Sequence, residues 1–220
     1  MRAGRIFKWL SGLLLVLLLL FVCFEAFAVL RARDRTAQAL ERVRERPLRL
    51  EQIPLRRIAM LLQVEDPGFF HHRGVDFSTP GAGMTTITQA LVKRLYFDGF
   101  EPGFAKIEQS LIARFVLDPA MSKRDQLEVY FNYTYFGSDR GREIVGFAAA
   151  AEHYYHKPFA ALTDREYLGL VAMLMAPNAL DPARHPAENA ERVRRIEALL
   201  AGRCAPNGPR DVGYQACAGL

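Results

Sequence analysis

The sequence predicts a mainly α-helical domain behind an N-terminal apolar helix. Three observations carry that expectation. An apolar run from Trp9 to Leu30, interrupted only by Ser11, Gly12 and Glu25, is long enough to cross a bilayer. Downstream, apolar residues recur at three- and four-residue spacings in segments bounded by Gly and Pro, the period of helices with one buried face. No alternating strand pattern of useful length and no internal repeat accompanies them. With 220 residues, 50% hydrophobic and 24% charged, the chain suffices for one sizeable globular domain and a short appendage.

Arg2, Arg5 and Lys8 precede the apolar run, and Arg31, Arg33 and Arg35 follow it, so charge alone does not orient it. Its length favours an uncleaved signal-anchor over residues 1–30 with the N-terminus in the cytoplasm, while Ala26-Phe27-Ala28 also fits a signal-peptidase site. Residues 31–54 are rich in Arg, Glu, Ala and Leu and read as a solvated juxtamembrane helix, ended by Pro47, with a linker. Pro54 opens an apolar helix from Leu55 to Val64. The Gly/Pro/Thr stretch from Val75 to Gly83 breaks regular structure.

Ile87, Leu91, Val92 and Leu95 mark a helix from Thr85 to Leu95, and Ile107, Leu111, Ile112, Phe115 and Val116 mark another from Phe104 to Leu117. Ser122, with Asp125 three residues on, caps a helix through about Tyr135 that Phe136-Gly137 stops. Ile144 to Tyr155 has a small-residue face, Thr163 caps a helix to about Met175, and a charged helix from Ala187 to Leu200 ends at Gly202. The main domain then occupies residues 55–202, with a tail at 203–220.

The net charge of +5 favours an anionic partner such as lipid headgroups or a pyrophosphate. No recognition helix, ribonucleoprotein motif or zinc-finger spacing supports nucleic acid. Cys204 and Cys217 bracket a Pro/Gly-containing tail and either close a small loop, if the domain is exported, or stay free. His71 and His72 lack a third ligand at metal spacing, so no metal site is assigned.

One stretch organises the chain: Gln63-Val64-Glu65-Asp66-Pro67-Gly68-Phe69-Phe70-His71-His72-Arg73-Gly74. Glu65 closes an apolar run at the rim of a core, where partial desolvation raises a carboxyl toward the working range of a general base. Glu65-Asp66-x-x-Phe69-x-x-His72-x-Gly74 resembles the first signature of the family 51 glycosyltransferases, the peptidoglycan polymerases. Gly83-Met84-Thr85-Thr86-Ile87-Thr88-Gln89 through Lys93 looks like the second motif, with Met84, Thr85 and Ala90 where the family has glycine, serine and glutamine. Its threonine-rich helix start offers N–H groups and hydroxyls to sugar and phosphate oxygens. Lys106 to Arg114 occupies the place of the third motif; Glu108 is the carboxylate available there, and Gln109 competes for the position. Ser122-Lys123-x-x-x-Leu127-Glu128-x-Tyr130-x-Asn132-x-x-Tyr135-Phe136-Gly137 is similar to the fourth, and Ala176-Pro177-Asn178, Asp181-Pro182 and Arg192 to the fifth.

The resemblance, over about residues 58 to 200, implies a lysozyme-like domain in the periplasm, tethered to a bacterial inner membrane. It implies polymerisation of lipid II onto a nascent glycan strand, with Glu65 and Glu108 catalytic. Asp66, Phe69, His72, Gly83, Thr85, Thr86, Thr88, Gln89, Lys93, Lys106, Arg114, Glu128 and Asn132 would bind substrate. For Glu128 and Asn132, four apart on one helix face, a buried polar network is an equal reading. Lys106 is the choice for pyrophosphate among Lys106, Arg114 and Lys123. No cofactor is required by the residues; a divalent cation (Mg or Mn) is a helper only the family suggests, and other cell-wall synthases are the partners it suggests. The alternatives are a non-catalytic relative that binds lipid II or synthases, and a glycan-cleaving enzyme using protonated Glu65 as acid.

Overall fold

The computed structural model describes residues 2–81, 85–101 and 103–220, and the fold is mainly helical. Helix α1 runs without a break from Arg2 to Arg42. At 1.5 Å per residue that is about 60 Å, twice the hydrocarbon thickness of a bilayer. Among the described residues it is the one helix long and apolar enough to cross a membrane, and it is compatible with a single-pass anchor. Its first half exposes Leu13 through Leu20, Phe24 and Phe27. Its second half joins the domain: Ala32, Ala39 and Val43 are buried against α3 (Ile87–Tyr96) and α4 (Phe104–Ile112). The solvated helix expected at residues 31–50 is therefore half true. It ends at Arg42, well before Pro47, and alanines on one face let it approach the domain closely.

Helix α2 (Leu55–Glu65) follows Pro54 as expected. Helix α4 continues through a π-helical turn, Ala113–Leu117, into the short α5, Asp118–Ala120. Ser122 caps α6 (Lys123–Tyr133) by accepting the Asp125 N–H. That helix ends earlier than expected, because Thr134 turns extended and a β-hairpin begins. Strands β1 (Tyr135–Asp139) and β2 (Arg142–Val145) pair antiparallel, Ser138 opposite Glu143 and Asp139 opposite Arg142. The expectation of no strand is corrected here. The strands are too short to show an alternating pattern, and the turn at Arg140-Gly141 has φ of 48° and 78°, the mirror-image geometry that suits a tight hairpin. Helix α7 consequently starts at Phe147, not Ile144.

Helix α8 (Asp164–Met173), capped by Thr163 with Glu166, is the centre of the domain. Tyr167 through Met173 are all buried, so it is apolar all round, as a helix packed on every side must be. A Cβ at Gly169 would run into the Tyr155 hydroxyl, so a larger residue there would have to displace that side chain. An aromatic cluster of Phe131, Phe136, Phe147, Phe159 and Tyr167 fills the space beside it. Buried Arg57 donates to the Phe159 and Leu162 carbonyls. Helix α9 (Pro186–Leu200) packs on α8, and the tail beyond it is closed by a disulfide between Cys204 and Cys217.

The segment between α1 and α2 is pinned to α6 by two of the residues expected to bind substrate. Glu128 accepts the Leu50 N–H at 2.8 Å and pairs with Arg46 and Arg49 at 3.3 Å. Asn132 brackets Leu48, accepting its N–H at 3.0 Å and donating to its carbonyl at 2.8 Å. Both are buried and engaged in this network, the arrangement weighed equally with substrate binding from the sequence. Asn132→Ala removes these bonds and leaves backbone groups poorly paired, a cost of about 2 kcal/mol. For a domain of this size the expected drop in melting temperature is roughly 4–8 °C, measurable by circular dichroism in detergent.

Candidate active site

Glu65 is the last residue of α2, and its neighbour leaves the helix with φ −160° and ψ 73°. That turn buries the Asp66 side chain completely. Its carboxylate accepts the Ile87 N–H at 2.9 Å and holds His72 Nε2 at 2.9 and 3.0 Å. Asp66 therefore joins the end of α2, the start of α3 and the loop between them. Gly74, with φ 84°, completes the loop: a Cβ there would lie 2.5 Å from the Ala113 carbonyl oxygen. Its own carbonyl accepts the Thr86 hydroxyl at 2.7 Å.

With Asp66 turned inward, Glu65 faces a cavity of about 310 Å³ walled by Thr85, Thr86, Ala90, Tyr130, Met175 and Arg192. A second cavity, of about 450 Å³, shares Thr85, Ala90, Tyr130, Leu174 and Met175 with it and extends past Lys93 to the hairpin. The two form one groove with Glu65 near one end. Glu65 is half-buried, hemmed in by protein yet open to the groove. Burial pushes its carboxyl up to about 7; the Arg192 guanidinium pulls the other way and Asp66 adds a smaller upward push. Lys106, whose ammonium donates to the Thr85 hydroxyl at 2.7 Å, is brought down to about 8 by burial and then by Lys93.

Of the residues expected to bind substrate, the structure brings Thr85, Thr86, Lys93 and Lys106 to the groove or its rim. Several others are committed elsewhere. Asp66 and Phe69 are wholly buried, and His72 serves Asp66. Thr86 and Gln89 satisfy each other in a capping box, Gln89 also donates to Ser110 at 2.8 Å, and Thr88 donates to Gln126 at 2.7 Å. At the start of α3, Asp66, Thr86 and Gln89 occupy the Ile87, Gln89 and Thr86 N–H groups, so these three of the expected donors are already engaged within the protein. Gly83 lies outside the described residues. Arg114 sits in the π turn with its guanidinium 5.8 Å from the Phe115 ring centre, away from the groove. Lys123 pairs with Asp118 at 2.8 Å and lies over Phe69.

Glu108 is a further correction. It does not line the groove but sits near Glu25 of α1, while Gln109 is buried and donates to the Gln89 carbonyl at 2.7 Å. Neither stands opposite Glu65. Among the described residues no three His, Cys, Asp or Glu side chains converge, and Asp66 is already saturated. These donors do not fit a resident Mg or Mn ion, and no step is routed through one. Two residues are more important to the site than motif reading indicated. Arg192, noted only as part of a closing signature, is the cation beside Glu65, and Tyr130 lines both cavities.

A family model described as Transglycosylase matches residues 33–201. The biosynthetic peptidoglycan transglycosylase of Brucella suis biovar 1 (strain 1330) is 31% identical over 162 residues, 68% of each chain. That of Nitrosospira multiformis (strain ATCC 25196 / NCIMB 11849 / C 71) is 28% identical over 187 residues, 79% of this chain and 78% of the relative. Penicillin-binding protein 1F of Bacillus subtilis (strain 168) is 31% identical over 180 residues, 76% of this chain and 24% of the relative. The chain thus spans about a quarter of that longer relative. The mainly helical domain fits the lysozyme-like fold of a transglycosylase domain. The chain belongs to the transglycosylase family.

The position of Glu65 can be read directly. Carbon-13 NMR of glutamate carboxyls, with Glu65→Gln assigning the signal, is expected to show a midpoint near 7; a midpoint at the ordinary 4.5 would contradict the half-dry environment.

Proposed function

We propose that this chain is a peptidoglycan glycosyltransferase that polymerises lipid II, with Glu65 as the general base. The observation that carries the reading is a carboxyl poised near neutrality at the floor of an open groove. The ionised form takes the proton of the acceptor sugar's 4-hydroxyl. That oxygen attacks the anomeric carbon of the donor as the bond to the pyrophosphate oxygen breaks, and undecaprenyl pyrophosphate leaves with the electron pair. Attack opposite the leaving group inverts the anomeric centre. Lys106, at the rim beside Thr85, is the cation suited to the departing pyrophosphate. The apolar length of α1 supports tethering beside a lipid-borne substrate. The expected setting is the periplasmic face of the inner membrane.

A non-catalytic lipid II-binding relative is favoured by one observation: no second free carboxylate faces Glu65 among the described lining residues. Turnover by the purified full chain separates the two. Glu65→Gln is expected to lower lipid II polymerisation by about 10²–10⁴-fold, the usual contribution of a positioned base, without abolishing lipid II binding. Wild-type binding with no turnover would favour the non-catalytic relative, and full activity in Glu65→Gln would remove Glu65 from the role of base.

The pH dependence has a definite sign. A base must be ionised, so activity rises as pH climbs through about 7. A cationic Lys106 must be protonated, so activity falls again through about 8. The expected profile of kcat/KM is a narrow bell, and Lys106→Met should remove its alkaline limb. Activity that instead falls through 7, with soluble muropeptides released from sacculi, would identify Glu65 as the acid of a glycan-cleaving enzyme.

A further inference from the structure

The C-terminal tail lies beyond the residues that the family model matches, yet it walls the cavity that holds Glu65. Cys204 and Cys217 close it into a loop. Inside that loop Asp211 accepts the N–H groups of Asn207, Gln215 and Ala216. The Gly208 carbonyl accepts the Gly81 N–H at 3.0 Å, and Val212 reaches the cavity wall. Tyr214 is 1% exposed and holds a left-handed φ of 50°, a conformation aromatic residues take only when their surroundings impose it. Its hydroxyl donates to the carbonyl of Val64, the residue before Glu65. Its ring lies 4.4 Å from the Arg192 guanidinium carbon.

Arg192 is itself 6% exposed, and its Nε and Nη1 have no hydrogen-bond partner among the described residues. Buried charged donors left free are costly, and these border the cavity where a sugar would enter. We propose that the disulfide-closed loop 204–217 is a working part of the site: Tyr214 holds Arg192 at the Glu65 cavity, with donors free for the hydroxyl or amide oxygens of an entering sugar, so the groove is complete only in the oxidised chain. Tyr214 is the positioning residue here and Arg192 the one that meets the sugar, and the inference rests on Glu65 being the base.

The charges around Glu65 give the test its sign. Asp66 adjoins it, Tyr130 faces it from α6, Tyr167 from α8 and Tyr214 from the loop, and Arg192 is the cation. Arg192 in turn meets Arg195 and Asp211 as well as Glu65 and Tyr214. Burial keeps the tyrosines neutral. Releasing Arg192 therefore moves the Glu65 midpoint upward.

The experiment uses the full chain in detergent: oxidised, reduced with a phosphine, as Cys204→Ser/Cys217→Ser, and as Tyr214→Leu. It reads the Glu65 carboxyl titration, lipid II polymerisation and the melting temperature. Tyr214→Leu, which frees Arg192 and keeps the wall apolar, is expected to raise the Glu65 midpoint by about one pH unit, the low end of what a nearby cation commands; reduction and the double serine variant, which also admit water and so relieve burial, are expected to move it by a similar amount. Polymerisation at pH 7 should fall severalfold and recover in part at pH 8. A lower melting temperature with an unmoved midpoint and unchanged polymerisation would overturn the proposal; if Tyr214→Leu does not fold, the reduced chain decides. Because the titration needs no turnover, a shifted midpoint in a chain that never polymerises would leave the loop's role standing and remove the polymerase reading instead.

Discussion

The grip of Asp66 on Ile87 N–H and His72 is the constraint on which the site depends. A carboxylate with no exposure survives only when its oxygens are engaged by strong donors, and here they are engaged by a helix N-terminus and an imidazole. The helix dipole of α3 adds to the same attraction. Because successive side chains at a helix end point in different directions, turning Asp66 inward turns Glu65 outward, over the groove. Two adjacent acids of the same charge thereby do different work. One orders three elements, and the other is left with an environment dry enough to titrate near neutrality.

That environment is a balance. Burial by Val64, Tyr130 and the α3 threonines disfavours the charged carboxylate, and Arg192 favours it. Burial alone would hold a carboxyl protonated and useless as a base, and a direct salt bridge would hold it ionised but weakly basic. A guanidinium that attracts without bonding leaves the group between these limits. Since Arg192 lies against the Tyr214 ring, the balance reaches into the C-terminal tail.

The long apolar helix α1 belongs to the same structure. Its second half is buried against α3 and α4, the helices that carry Lys93 and Lys106 to the groove and its rim. Phe21 and Phe104 meet at 5.9 Å between ring centres, and Thr36 bonds the Tyr96 hydroxyl at 3.0 Å. The groove is consequently fixed relative to α1 by packing, and the Glu128–Asn132 network fixes the segment that follows it.

Much was legible in the sequence because the signals were local. Helical periodicity, the Ser122 and Thr163 caps and the long apolar run depend on neighbours in the chain, and each element appeared where they placed it to within a few residues. Glu65 was legible for the same reason, as a carboxyl closing an apolar run. The hairpin was not, since strands this short show no alternation and their pairing is a contact between segments. Motif residues such as Asp66, Gln89, Glu128 and Asn132 were legible as important but not as to their partners, because a polar side chain's partner is set by three-dimensional packing. Whether a carboxylate meets a sugar or a backbone N–H is decided only when the chain is folded. So is the placing of Arg192 beside Glu65 and of Tyr214 against Arg192, residues far apart in sequence that the tertiary structure alone brings together.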